Sequence, residues 1–488
     1  MKIFIIRSIV FCLLFYLFII IQPSVAGSLS IGCSSIDITP SRPVALAGNF
    51  STRISKEPET PIIAAALALE SKDGDKPVQQ ALIISCDLVA IRDGVQEKFR
   101  SKLQPLLPDM DMQNVILTAT HTHTAPLTME LHEKRYVYDL PQEGVMMPDD
   151  YVEFLIEKLS TVAVNAWKNR KPAGVSWTLG YAVVGQNRRA VYADGRAKMY
   201  GKSDDPQFRG LEGYEDHAVE MLFFWDNTKQ LKAIAINLAC PAQEVESGRR
   251  INADFWHEVR QQLKSKLNQE DLVVLGWTGA AGDQSPHLMY RKTAEGRMTK
   301  ARGLTRVQEI GRRISNAVID TIEPARADIR NNLLFAHTVR QLQLPPRKIL
   351  KREYEEALKN IPALEKKTDN YSRSMLIREK DVVHRYEDAQ KIPPYNMELH
   401  VLRIGDIAIA TNPFELFIDY GTQIKARSQA VQTFIIQHAC NAGLYLPTPR
   451  AIEGGHYSGW PHTNIAGPEG GQVLVEETVK SINELFKQ

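Results

Sequence analysis

The sequence is short of the features that mark several classes of protein. It has no charge excess: 59 Lys and Arg stand against 57 Asp and Glu, a net charge of +2. Nothing in that balance attracts nucleic acid or an anionic surface. It has only five cysteines in 488 residues and no CxxC spacing, which argues against a disulfide scaffold and a thiolate zinc site. Glycine (29) and proline (26) are ordinary in number, no internal repeat is visible, and no Pro/Ser-rich linker divides the chain. A Walker lysine and a dinucleotide fingerprint are both missing.

One long apolar run is present, at the beginning. Lys2 and Arg7 precede the apolar stretch Ile9 to Ile21, and Ser24-Val25-Ala26 offers small residues for cleavage. This run falls short of the roughly 20 residues a membrane span needs. Residues 1–26 therefore read as a secretory signal, removed on export to a periplasm or the exterior. Cys12 leaves with it, and Cys33, Cys86, Cys240 and Cys440 remain, read chiefly as buried thiols behaving as small apolar groups.

The rest is 44% apolar overall and punctuated throughout, as a large folded protein requires. Apolar runs at Ile62–Leu69, Ala81–Ile84, Val115–Ala119, Val219–Phe224, Ala233–Leu238, Leu272–Leu275 and Ile407–Ala410 predict strands. Helical periodicity marks Val95–Leu106, Tyr151–Trp167, Phe255–Leu267 and Arg306–Ile322. The mixture predicts a layered α/β protein. Residues 347–390, rich in Lys, Glu and Arg, predict one or two solvated helices inserted into a single unit spanning 27–488.

Five stretches carry residues capable of chemistry. In Val115 to Pro126, strand alternation sets His121 and His123 on one face, just where the apolar run ends. Two imidazoles at i, i+2 suit a metal ion, or else are hydrogen-bonded histidines at a strand end. Gly276 to Pro286 is a glycine-rich turn after a buried strand, a pocket wall or a tight turn capped by Asp283. Gln186-Asn187-Arg188-Arg189 offers a guanidinium for a carboxylate or oxyanion, or a solvated pair. Glu415 is a lone carboxylate in the apolar stretch after Ile407–Ala410 and needs a cation, a proton or a metal as partner. The tail from Asn441 to Gly471 gathers Tyr445, Glu453, His456, Tyr457, Trp460, His462 and Asn464 in a Gly/Pro-rich loop.

Taken in order, these stretches resemble the neutral (neutral/alkaline, non-lysosomal) ceramidase family. The resemblance rests on the opening Gly32-Cys33-Ser34-Ser35-Ile36-Asp37-Ile38-Thr39-Pro40, on Thr120-His121-Thr122-His123-Thr124 and Asn187-Arg188, and on Gly282-Asp283-Gln284-Ser285-Pro286 and Pro413-Phe414-Glu415. It implies mixed β-sheets packed together with helices outside, and a zinc-dependent hydrolase cleaving the amide of an N-acyl sphingolipid or a related N-acylated molecule. It implies His121, Glu415 and Tyr445 as ligands of one zinc ion, His123 as acid/base, Arg188 beside the reacting carbonyl and Tyr457 as oxyanion donor. The substrate is then a small molecule or lipid, with peripheral membrane contact for a lipid.

The sequence also departs from the family pattern. Where the second histidine ligand is expected it reads Cys240-Pro241-Ala242-Gln243-Glu244, leaving Gln243, Glu244 or His257 for that place. Ala125-Pro126-Leu127 replaces the glycine-rich stretch after the histidine pair, and Gly454-Gly455 stands near an expected tyrosine. The chain ends at Gln488, short of the family's C-terminal β-sandwich. Two other readings stay open: a non-catalytic relative that binds a ligand in the same pocket, and a hydrolase of another acyl bond, an ester or an N-acetyl sugar.

Overall fold

The structure, a computed structural model, describes residues 27–487 apart from 50, 74–75, 93, 130–139 and 142. The signal segment 1–26 lies outside the described residues. Among those described, no helix is long and apolar enough to cross a membrane, and the four remaining cysteines form no disulfide.

The larger sheet consists of β1 (Gly27–Asp37), β2 (Ile63–Asp73), β3 (Lys76–Cys86), β4 (Val115–Ala119), β5 (Lys171–Tyr181), β6 (Ala218–Asp226), β7 (Leu231–Leu238) and β8 (Val273–Thr278). Their spatial order is β8-β7-β6-β5-β1-β2-β3-β4, and Asn332–Leu333 joins the start of β1. Only the outer pairs β7/β8 and β3/β4 are parallel. The second sheet runs β9 (Phe335–Leu344), β10 (Tyr395–Ile404), β11 (Ile407–Thr411) and β12 (Gln432–Ile436), with β11/β12 parallel.

Side-chain alternation explains why the sheets stack. Leu67, Leu69, Ala81 and Ile83 face one way and meet Leu402, Ile404, Ile409, Phe434 and Ile436 of the second sheet in a shared core. The intervening Ala64, Ala66, Ala68, Leu82 and Ile84 face α1 (Val95–Leu103) and α2 (Pro148–Lys168). Over the other half of that face lie α3 (Phe255–Leu267) and α4 (Arg306–Ala327). On the outer face of the second sheet lie α7 (Ile418–Arg427) and α8 (Pro468–Leu485). The result is helices, sheet, sheet and helices in four layers, the mixed α/β arrangement expected. Both faces of each sheet being covered, the central strands read as continuous apolar runs.

The charged stretch 347–390 forms two helices, α5 (Lys351–Leu364) and α6 (Asn370–Glu387), packed on one another at the outside. They bury little, with Ala357 the buried residue of α5, which is why Lys, Glu and Arg dominate them.

Candidate active site

The ends of β3, β4, β7, β8 and β12 deliver their following loops to one region. There a cavity of about 340 Å³ is lined by His121, His123, Arg188, Glu415, Tyr445 and Tyr457, with Tyr200, Glu246, His438 and Arg92 among its other walls. The six residues that the family resemblance gives a role at the site thus share one cavity, although they come from four separate stretches of the sequence.

His121 does not reach it by strand pleating. Strand β4 ends at Ala119, and His121 holds φ 65°, a left-handed backbone that costs a non-glycine residue about 1 kcal/mol or more. The turn is set by neighbouring hydrogen bonds: Thr120 N–H donates to Cys86 C=O (3.0 Å) and Thr122 N–H to Leu88 C=O (3.1 Å). His121 Nδ1 then donates to Val89 C=O at 2.6 Å, which leaves Nε2 as a bare acceptor. Burial pushes its pKa down to about 3, partly opposed by that carbonyl.

His123 stands edge-on to His121, with the two Nε2 atoms 3.2 Å apart. Its tautomer follows from Gln243. Arg188 can only donate, so the Gln243 oxygen must face it, accepting from Arg188 Nη1 at 3.0 Å. Gln243 Nε2 therefore faces His123 Nε2 at 2.7 Å and donates to it. The His123 proton sits on Nδ1, 3.3 Å from a Glu246 carboxylate oxygen. Burial, with the His121 ring and Arg188 nearby, keeps His123 neutral, its pKa well below the usual imidazole value.

Glu415 and Tyr445 are brought together by a short parallel pairing of Glu415–Leu416 with Tyr445–Leu446, in which the two residues are direct partners. Gly282 makes this possible. A Cβ there would lie 2.3 Å from the Glu415 carbonyl oxygen, and the Gly282 N–H donates to Leu416 C=O (2.8 Å). Glu415 Oε2 is buried without a hydrogen bond, 3.7 Å from His121 Nε2 and 3.8 Å from Arg188 Nη2. Burial raises its pKa to about 7, with Arg188 pulling the other way.

Arg188 is fixed on several sides. It donates to Tyr200 OH (2.8 Å), Gln243 Oε1 (3.0 Å) and Gly282 C=O (2.9 Å), and its Nη2 lies 3.5 Å from Tyr445 OH. Its neighbour Arg189 turns away to a buried ion pair with Glu212 and has a structural role. Asp283 is structural too: it accepts from Asn187 Nδ2 (2.9 Å) and from the N–H of Ile418 at the start of α7 (3.0 Å).

The other two residues weighed for the place of the second histidine go elsewhere. Glu244 faces His287 at 3.7 Å, and His257 lies at the start of α3, outside the cavity lining. Gln243 is at the site, but its oxygen is engaged by Arg188. The tail also divides. Tyr457 packs 6.0 Å from Tyr445 in the cavity, whereas Glu453, His456, Trp460 and His462 line a larger cleft of about 1020 Å³ against α5 and α6. Asn464 holds the loop together by donating to Ser458 C=O (3.0 Å).

The sequence reading passed over His438, Tyr200, Glu246 and Arg92. His438 stacks flat on His121, centroids 4.1 Å apart and planes 2° from parallel. It follows the apolar run Phe434-Ile435-Ile436 as His121 follows β4, a signal of the same kind.

Two acceptors therefore face one another without a donor between them, His121 Nε2 and Glu415 Oε2, 3.7 Å apart, while His123 Nε2 beside them accepts from Gln243. Such a constellation is satisfied by a cation, and imidazole, carboxylate and the adjacent phenol of Tyr445 form a donor set that suits zinc. His121, His123 and Glu415 do not by themselves close around one point. Among the described residues the group of three His, Cys, Asp or Glu whose ligand atoms all lie within 4.8 Å of one another is Glu398, His400 and Cys440, elsewhere in the fold.

No protein-family model matches the chain, and no curated protein matches its sequence. Solved structures do match. The neutral ceramidase from Pseudomonas aeruginosa superposes with a TM-score of 0.69 at 17% identity, covering 94% of this chain and 75% of that one. A ceramidase complexed with C2 gives 0.67 at 15% identity, with 94% and 76% covered. The chain has a ceramidase-like fold.

Proposed function

We propose that the protein is a zinc-dependent amidohydrolase of the ceramidase type, acting on an N-acyl lipid or a related N-acylated molecule. The observation that carries this reading is that His121 Nε2 and Glu415 Oε2 face one another without a donor between them in the cavity that Arg188, Tyr445 and Tyr457 also line. His121 Nε2, Glu415 Oε2 and the Tyr445 phenol would hold the zinc ion. Bound there, zinc supplies Lewis acidity, polarising an acyl oxygen and acidifying water.

The remaining steps belong to side chains. Arg188, locked by Tyr200, Gln243 and Gly282, presents positive charge where the acyl oxygen gains negative charge. Tyr457 adds a phenol donor to the same oxygen. His123 Nε2, exchanging the Gln243 N–H for the water proton, takes a proton from the attacking water as its oxygen bonds to the acyl carbon, then returns it to the departing nitrogen as the C–N bond breaks. Water and amide give carboxylic acid and amine. Gln243 acts by position: one carboxamide fixes both the His123 tautomer and the Arg188 fork.

Metal analysis of the chain from Gly27 onward tests the ligand set. After zinc loading and dialysis, His121→Ala and Glu415→Gln should each retain one equivalent fewer than the wild type; an unchanged zinc content in both variants contradicts it. Bound metal without turnover of any N-acyl or ester substrate favours the ligand-binding relative.

A further inference from the structure

We propose that Glu398, His400 and Cys440 form a second metal site, distinct from the His121 cavity, that takes a divalent transition ion such as zinc. This inference is independent of the function proposed above. Strand β10 carries Glu398 and His400 at i, i+2, so both project from one face. Cys440 comes from the turn after β12, pinned by donation of its N–H to Leu117 C=O (2.9 Å). Its backbone holds φ 63°, a left-handed conformation that a non-glycine residue adopts at a cost.

Two of the three ligand-to-ligand distances match a tetrahedral ion, and all three ligand atoms lie within 4.8 Å of one another. With zinc at about 2.0–2.1 Å from nitrogen or oxygen and about 2.3 Å from sulfur, the tetrahedral edges are about 3.3 Å for N–O and about 3.5 Å for N–S. His400 Nε2 lies 3.2 Å from Glu398 Oε2 and 3.5 Å from Cys440 Sγ. The donor set of thiolate, imidazole and carboxylate suits zinc or its neighbours rather than magnesium or calcium.

Hydrogen-bond counting points the same way. A chain runs from Gln80 C=O to His337 Nδ1 (3.0 Å), from His337 Nε2 to His400 Nδ1 (3.2 Å), and from His400 Nε2 to Glu398. A carbonyl and a carboxylate end it, and both only accept, so its three links need three protons. Two neutral imidazoles carry two, so the link to Glu398 lacks a proton, and the His400 Nε2 lone pair is open to the Cys440 thiol 3.5 Å away or to an ion in its place. An ion at His400 Nε2 removes the shortfall: His400 Nδ1–H donates to His337, and His337 Nδ1–H donates to Gln80. That is the outer hydrogen bonding by which a metal-binding histidine is oriented.

Glu398 is oriented in the same way, by two 2.8 Å bonds from Arg100, one to each oxygen. Its side chain is 23% exposed while that of His400 is fully buried, so the carboxylate marks the route by which an ion enters. On binding, the Cys440 thiol proton leaves to solvent and the sulfur bonds the ion. The site would also brace the segment that holds His438 against His121, two residues before Cys440.

Cobalt(II) loading of the intact chain is the test, since a thiolate bound to cobalt gives a near-ultraviolet charge-transfer band that an imidazole, carboxylate and phenol site does not. We expect the band in the wild type and in His121→Ala, and its loss in Cys440→Ser and His400→Ala together with one of two retained zinc equivalents. A wild-type cobalt protein without a thiolate band overturns the proposal, even if the variants fail to fold, and so does a band that survives in a folded Cys440→Ser. Failure of the His121 site would leave this band untouched, which separates the two readings.

Discussion

Gln243 shows how far one side chain can set the chemistry of its neighbours. Because Arg188 cannot accept a hydrogen bond, the orientation of the Gln243 amide, the tautomer of His123 and the lone pair on His123 Nε2 follow in sequence. Gln243→Ala should leave the zinc content unchanged and lower kcat by roughly 10–100-fold, the usual cost of removing a group that orients an active-site residue. Steady-state kinetics with a parallel metal assay checks this; loss of the metal instead would make Gln243 a ligand. Residue by residue, His121 and Glu415 stand out in the sequence by their apolar surroundings, Arg188, Tyr445 and Tyr457 are named through the family resemblance, and the structure brings all five to one cavity. The means of convergence was not legible. Strand alternation predicts two histidines side by side on a pleat, whereas a left-handed turn at His121 and hydrogen bonds to Val89 and Gln243 aim the rings.

At the level of elements, the site is a set of loops leaving strand ends, and ion pairs beneath hold those ends in place. Asp87, directly after β3, accepts from Arg260 of α3 through both oxygens (2.6 and 3.0 Å) and from Thr120 Oγ1 (3.2 Å), the residue before His121. All three are buried. Arg260→Met would strand a buried carboxylate, and the expected loss is about 3–5 kcal/mol of unfolding free energy. Urea denaturation measures it, and an unchanged midpoint would show that Asp87 finds another partner. The strands expected from unbroken apolar runs all occur. Those missed in the two sheets are β1, β5, β9, β10 and β12; β12 is a short apolar run, whereas β9 and β10 mix charged and polar residues with apolar ones, with His337, Arg340 and Gln341 in β9 and Glu398, His400 and Arg403 in β10. The apolar residues of β9 and β10 become continuous only once the second sheet lies against the first.

Over the whole molecule, two sheets share a core, helices close both outer faces, and the candidate catalytic residues gather where loops from both sheets meet. His121 follows a strand of the larger sheet, Glu415 and His438 follow strands of the smaller one, so the cavity exists only when the two halves are packed together. The ordered motifs pointed to a ceramidase-like fold, and the structural match bears out that part at 17% identity. The most direct test is release of fatty acid from a short-chain N-acyl sphingoid by the purified chain, before chelation, after it, and after zinc is restored, beside His121→Ala. The account predicts turnover that chelation abolishes and zinc restores, with none in His121→Ala; full turnover by that variant would contradict it.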